Sequence, residues 1–546
     1  VIGEAILLHQ PVLSVLLPSV TAVILLLVGD HGGDAHGGHG HHRLLWARRI
    51  SLGSALLGLA LALALVLRAA DGELVAYRVS DWPAPYGILL LVDRLGALML
   101  LLTSCIAVPV LLYASGGWDA HGRYFHALFQ FQLMGLNGAF VTGDLFNLFV
   151  FFEVLLIASY ALMLHGQGRE RMRAGLHYVA LNLVASALFL VGVALIYAKT
   201  GTLNMADLAL RVPMVDAPDA QVLRVAALVL LVVFGFKAAL VPLAMWLPAT
   251  YAAATAPVAA LFAIMTKVGV YAIWRVHGVI FGEAAGASAL TAEAVLLPLA
   301  LATSMLGVLG LLAARRLPRL VAWLTVSSVG TVLLGIGLFS AEAWSAALYY
   351  MLNSTLVTAG LFLLSELVAA QRGDADDHLE PASPVAQPTL LGLLMLLAAA
   401  SAAGLPPLPG FIGKVMMLDA ASASPWQALI WTVILGAGLL TLVGLARAGS
   451  ILFWNVRDEP NQGGSAGASP QLLTATMLLI ALSVALSIGA APMQRYTSAA
   501  AQQLQDRQAY ARAALPESGG PAADTARGYD GRPPARPKSP PVEPRP

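Results

Sequence analysis

Four ionisable side chains stand inside apolar runs long enough to cross a lipid bilayer. Lys237 lies in FGFKAALVP, Lys267 in ALFAIMTKVGVYAIW, Lys414 in PLPGFIGKVMML, and Glu153 in NLFVFFEVLLIASYALM. A charge at the centre of a spanning helix costs about 2.5 to 3.5 kcal/mol on insertion scales, so such residues line a bundle interior or a watery path and mark ion routes. The choice of cation carries information. The chain has five lysines, Lys199, Lys237, Lys267, Lys414 and Lys538, against 26 arginines, and three of those lysines fall in apolar segments. Arginine holds an ion pair but does not release its proton, whereas a desolvated lysine can exchange one near neutral pH. Three such amines and one carboxylate read as a proton relay. Glu153 needs a nearby cation to stay ionised at that depth, and Lys237 is the expected partner. The bland alternative is a static ion pair holding helices together.

Lys237 and Lys414 each sit beside a predicted helix break. Pro242 and Pro248 follow Lys237 in KAALVPLAMWLPATY, and Pro406, Pro407 and Pro409 precede Lys414 between Gly404 and Gly410. Prolines remove backbone donors, and broken backbone is tolerated at membrane depth only against protein or a water-filled cavity.

The elements that must hold these residues follow from composition. Of 546 residues, 58% are hydrophobic and 11% charged, with mean hydropathy +0.78, which places the chain among polytopic membrane proteins. Runs of about 20 apolar residues occur near 5–29, 50–67, 88–113, 124–142, 145–164, 174–198, 222–246, 252–275, 294–314, 321–340, 344–368, 389–420, 425–454 and 471–491. They predict an all-α polytopic membrane protein of about 14 transmembrane helices. Interrupted helices in matching positions point to two inverted five-helix repeats, helices 4–8 and 9–13, with helices 7 and 12 broken.

Arg43, Arg48 and Arg49, then Arg169, Arg171 and Arg173, then Arg315, Arg316 and Arg319 all fall on one side of that count. The positive-inside rule makes it cytoplasmic and puts both termini on the outer, periplasmic side of a bacterial inner membrane. The expected divisions are 1–123, an N-terminal three-helix segment with a His-rich loop; 124–275 and 276–457, the two repeats; 458–494, a C-terminal helix; and 495–546, a disordered Pro-rich tail. The first apolar run reads as a retained helix rather than a removed signal. The His-rich loop HGGDAHGGHGHH, with His31, His36, His39, His41 and His42, reads as a solvated loop rather than a metal site, because its glycines leave nothing to fix a coordination geometry.

Several function classes drop out. One cysteine, Cys105, leaves no disulfide and no cysteine cluster for a metal or iron–sulfur centre. No phosphate loop, dinucleotide fingerprint, HExxH or nucleophile elbow is present, so no cofactor and no soluble-type enzyme chemistry is expected. The near balance of 31 basic and 30 acidic residues gives no reason to expect nucleic acid.

The strings NLFVFFEVLLIASYALM, FGFKAALVPLAMWLPATYAAATAPVAALFAIMTKVGVY and GLPPLPGFIGK resemble the signature regions of the antiporter-like membrane subunits shared by Mrp-type cation/proton antiporters and respiratory complex I. Residues 1–495 are most similar to the D-type branch of the Mrp (Pha, Mnh) antiporters, for which the string after Glu153 and a lysine at Lys414 speak.

The resemblance implies a membrane subunit of a multisubunit Na+(K+)/H+ antiporter, with other membrane subunits as partners and H+ and Na+ or K+ as transported ions. Glu153 and Lys237 would form the ion pair of one half-channel, Lys267 would bridge at mid-membrane, and Lys414 would end the second. Where the family often carries a histidine or lysine on the eleventh span, this chain has Asn353 and Thr358 in YYMLNSTLVTAGLFLL. These can orient water but carry no charge. The alternative function is a proton-pumping subunit of an NADH:quinone oxidoreductase-type complex.

Overall fold

The computed structural model describes residues 2–29, 38–82, 87–457 and 467–515. Helices α1 (Ile2–Val28) and α2 (Gly38–Ala70) lead through a short antiparallel hairpin, β1 (Val75–Arg78) and β2 (Leu89–Val92), into α3 (Arg94–Ala114) and α4 (Phe125–Val141). Next come α5 (Leu145–Met163), α6 (Arg169–Thr200), the short α7 (Met205–Arg211), α8 (Ala217–Ala238), α9 (Trp246–Ala253) and α10 (Ala256–Ile273), which runs on as a π-turn to Ile280. The third group is α11 (Glu293–Ala313), α12 (Leu317–Ile336), α13 (Ala341–Ala369), α14 (Pro388–Ala403), α15 (Pro409–Ala420) and α16 (Gln427–Phe453). The last is α17 (Pro470–Ile488), α18 (Ala490–Gln505) and α19 (Arg507–Ala514).

Among the described residues, twelve helical segments are each long and apolar enough to cross a bilayer. The other two expected spans are α4, 17 residues long and carrying Gln130, Gln132 and Asn137, and the broken pair α14/α15. Helices α10, α12 and α13 are buried on all sides. A helix apolar all round belongs in the interior, and these three form the centre against which the others pack. The two groups α4–α10 and α11–α16 share one plan: a packed helix pair, a long helix, a broken helix and a closing helix. On the arginine-rich face Arg316 ties them together, donating to Asp377 in the linker at 2.7 and 2.9 Å and to Glu170 at the start of α6 at 3.0 Å. The hydrogen bonds to Asp377 raise the Arg316 pKa above its ordinary value despite partial burial.

Three expectations need correction. The run 88–113 is not all helix: Leu89–Val92 pair with Val75–Arg78, and α3 starts only at Arg94, where the Asp93 carboxylate accepts the Gly96 N–H at 2.8 Å and caps the helix. The segment 458–494 holds α17 and also the start of α18, with 458–466 outside the described residues. The tail is not disordered from 495. Helix α18 folds back over the N-terminus of α3, where the Tyr496 hydroxyl donates to the Arg94 carbonyl at 3.0 Å and Gln503 accepts the Arg94 N–H at 2.9 Å, and α19 packs on α7 and β1.

Average composition hid those helices, because their buried residues Thr497, Ala500, Ala501 and Leu504 form only one narrow stripe at helical spacing. The Pro-rich remainder, 516–546, and His31 and His36 of the His-rich loop lie outside the described residues. His39 and His41 fall within α2, which begins at Gly38.

Candidate functional site

Two helix breaks at membrane depth organise the site. The first ends α8. Ala239 adopts a left-handed conformation (φ 64°), its N–H reaches the Phe236 carbonyl at 3.1 Å, and the Leu240 N–H reaches the Gly235 carbonyl at 2.7 Å. This is the Schellman pattern that closes a helix by satisfying its last carbonyls. The second ends α14 in a related way, with Gly404 (φ 88°) in the left-handed position and the Leu405 N–H on the Ala400 carbonyl at 2.9 Å. Glycine bears this conformation without cost, whereas alanine gives up about 1 to 2 kcal/mol.

The proline run explains why each chain stays broken. Pro242 follows the first cap directly, and Pro406 and Pro407 occupy the gap between α14 and α15, with no N–H to offer the freed carbonyls. Pro248 does not contribute to the break. It lies in the first turn of α9, where a missing N–H costs nothing.

Freed backbone groups in a membrane interior cost several kcal/mol each unless paired, and side chains from other elements pair them here. At the first break the Trp246 indole donates to the Phe236 carbonyl at 3.0 Å, and the Thr303 hydroxyl on α11 accepts the Val241 N–H at 3.0 Å. At the second break the donor is a relay candidate itself. The Lys414 amine reaches back from α15 to the Ala403 carbonyl at 2.6 Å and the Ala402 carbonyl at 3.5 Å.

Lys237 stands on the other side of its break, two residues before Ala239, and its amine reaches sideways to Asn182 Oδ1 on α6 at 2.8 Å. Phe152 of α5 lies beneath it, with the amine 5.8 Å from the ring centroid. Glu153 is half-buried and accepts a hydrogen bond from Ser186 on α6. The expected direct ion pair is therefore absent from this arrangement. Successive helical residues point about 100° apart, so Phe152 faces α8 while Glu153 turns to α6. Asn182 and Ser186, one turn apart on α6, hold the amine and the carboxylate separately.

Lys267 is fully buried on α10, and its amine contacts the Thr266 hydroxyl at 3.3 Å. Among the described residues none of Lys237, Lys267 and Lys414 makes an ion pair, whereas Lys199 at the end of α6 pairs with Asp219 at 2.7 Å. Asn353 on α13 is fully buried. Its Oδ1 accepts from Ser401 on α14 at 2.9 Å and from Ser483 on α17 at 2.7 Å, while its Nδ2 has no partner and faces Gly410 beyond the break. Asn353 thus adjoins the second break but, unlike Asn182, does not hold the lysine beside it. Thr358, a turn further along α13, donates to the Ser354 carbonyl at 2.8 Å.

The helices carrying these groups touch in series: α5 on α6, α6 on α8, α8 on α10, α10 on α13, and α13 on α14 and α15. Gly269 makes the α8–α10 approach possible, since a Cβ there would stand 2.5 Å from the Ala238 nitrogen.

Asn182, Ser186, Thr303 and Ser401 did not stand out in the sequence. For the first two a signal existed, a polar pair at i and i+4 in an otherwise apolar run. Arg275 was missed as well, an arginine within the span Ala256–Ile280 that donates to both oxygens of Asp93 at 2.7 and 2.5 Å. That pair is bidentate and buried, which suits a structural role and sets off the unpaired lysines.

The family model described as NADH:quinone oxidoreductase/Mrp antiporter, TM, matches residues 142–441. The chain is 39% identical over 535 residues to a probable K(+)/H(+) antiporter D-type subunit from Rhizobium meliloti, covering 91% of this chain and 95% of that protein. To a Na(+)/H(+) antiporter D-type subunit from Alkalihalophilus pseudofirmus it is 35% identical over 510 residues, covering 93% and 99%. Among solved structures, a chain of the Mrp complex from Dietzia sp. DQ12-45-1b superposes with a TM-score of 0.81 at 28% identity, covering 93% of this chain and 99% of that one. A chain of respiratory complex I from Thermus thermophilus with bound NADH gives 0.74 at 25% identity, covering 90% and 99%. On the family model and these D-type relatives together, the chain belongs to the NADH:quinone oxidoreductase/Mrp antiporter family, on its branch of Mrp D-type subunits.

Proposed function

We propose that this chain is the proton-conducting membrane subunit of a multisubunit cation/proton antiporter, exchanging H+ for Na+ or K+ together with other membrane subunits. The observation that carries the reading is the set of three lysines without ion-pair partners at and between two helix breaks, linked by helices packed in series. Its relatives' names supply the exchange chemistry, and no cofactor is required.

Proton arrival near Glu153 changes the field at Lys237, which Asn182 holds in place. The change passes to Lys267, whose amine has little local support to lose, and then across α13 to Lys414. There Asn353 and Thr358, which carry no charge themselves, orient water. Lys414 is coupled to its break directly: when its amine gives up a proton it remains a donor to Ala403 but a weaker one, so protonation and the geometry of the α14 cap are linked. The membrane is a bacterial inner membrane, with the arginine-rich face cytoplasmic and both termini outside.

A redox-driven proton pump would use the same path, and the likeness to complex I favours that second reading. The D-type antiporter relatives and the higher TM-score of the Mrp chain weigh towards exchange. The test is Lys237→Ala in the assembled complex, assayed for cation-dependent proton movement in everted vesicles. Exchange falls to background at unchanged complex levels; exchange that survives there removes Lys237 from the path.

A further inference from the structure

Outside the lysine path, α1 to α4 line a partly open cavity of about 20 Å³, enough for one water-sized occupant. Its polar lining residues Ser14, Ser54, Thr103, Ser104, Gln130 and Asn137 all lie near the midpoints of their helices, and the rest of the lining is apolar. Among the described residues no charged side chain lines it.

The hydrogen bonding around this cavity is one-sided. Ser14 donates to the Pro11 carbonyl at 2.6 Å, Thr103 to Met99 at 2.8 Å, and Ser104 to Leu100 at 3.0 Å, each within its own helix. Ser54 donates to Gln130 Oε1 at 3.4 Å while its oxygen accepts from Thr21 at 2.9 Å, and the Gln130 amide donates to Ser51. Asn137 spends a donor on the Ser14 carbonyl at 2.8 Å, a group left free because Pro18, four residues on, has no N–H. Asn137 Oδ1 is buried with no partner. The hydroxyl protons are thus committed, and apart from one Asn137 amide N–H what the lining retains is oxygen lone pairs, the free Asn137 Oδ1 foremost.

We propose that this cavity is a binding site for one dehydrated monovalent cation of the Na+ or K+ class, held by neutral oxygens. A divalent ion would call for carboxylates, which the lining lacks among the described residues, and an anion for several donors, of which the lining keeps one, the second amide N–H of Asn137. Replacing a hydration shell with protein oxygens is how monovalent ions are accommodated inside membranes. The site deepens the antiport reading by giving the exchanged cation a place within this chain that is separate from the lysines, and it rests on that reading only for its role in transport.

The test is thermal unfolding of the purified assembled complex, titrated with NaCl, KCl or RbCl against choline chloride at constant ionic strength. A cation that binds the folded state raises Tm saturably. In the double variant Thr103→Val/Ser104→Ala, which leaves the backbone ladder intact, the half-saturating concentration rises at least tenfold. Thr103→Ser, which keeps the oxygen, stays within twofold of the unaltered complex. No saturable cation effect, or the same half-saturation in the double variant, overturns the site and leaves a cavity for water alone. Saturable stabilisation in an unaltered complex that performs no exchange supports the site and sinks the antiport reading instead.

Discussion

At the scale of single residues, Lys237 and Lys414 do different work although each adjoins a break. Lys237 is held by a side chain, Asn182, at 2.8 Å, while Lys414 is held by backbone carbonyls that its own helix break set free. The difference can be tested at Lys237 and at its support. Lys237→Arg keeps the positive charge but removes a releasable proton, so exchange in everted vesicles drops at least tenfold while complex levels hold. Asn182→Ala removes a hydrogen bond to a charged group, worth about 1.5 kcal/mol or more, and lowers the exchange rate roughly tenfold without abolishing it. Full activity in Asn182→Ala would show that the amine needs no positioning. The lysines were legible in the sequence because a cation inside an apolar run stands out against the cost of inserting it. Asn182, Ser186 and Ser401 were not, because small polar residues are cheap in a helix and acquire their role only from what lies opposite.

At the scale of elements, the breaks depend on close helix approach as much as on proline. Gly269 brings α10 against the end of α8, and a Cβ there meets the Phe234 carbonyl at 2.8 Å as well as the Ala238 nitrogen. Both are backbone atoms and cannot swing aside. Gly269→Ala therefore costs about 1 to 3 kcal/mol and is expected to lower the Tm of the complex and the exchange rate together. A variant with unchanged Tm would mean that α8 and α10 separate freely. Pro242, Pro406 and Pro407 lie in the gaps between helices, whereas Pro248 sits in the first turn of α9, where a proline obeys the same chemistry without interrupting anything.

At the scale of the whole molecule, the arginine-rich face is stapled by charge between distant elements. The Asp119 carboxylate, fully buried between α3 and α4, accepts from Arg48 of α2 at 2.6 and 2.8 Å and lies 3.0 Å from His126 of α4. Burial alone would push this carboxyl up, but its partners outweigh that and hold it below its ordinary value. A depressed carboxylate contributes stability that is present above about pH 4 and is lost as pH falls through the lowered value. Asp119→Asn is expected to flatten that acid limb of Tm against pH and to cost roughly 2 to 3 kcal/mol at neutral pH, at or below the low end for a buried pair because Arg48 keeps 24% of its side chain exposed. An acid limb unchanged in the variant would remove Asp119 from this role.

Hydropathy and charge along the chain determined the number and order of the spans, the arginine-rich face and the four ionisable groups within the apolar runs, because each is a local property of about twenty residues. Tertiary structure alone decided that Glu153 and Lys237 are held separately by Ser186 and Asn182 of α6, that Lys414 caps the helix it follows, that α18 and α19 fold over the bundle, and that six polar, uncharged side chains of α1 to α4 share one cavity. Those outcomes depend on which face of one helix meets which face of another. That choice is made by packing between segments far apart in the chain, and no window along a single stretch of residues contains it.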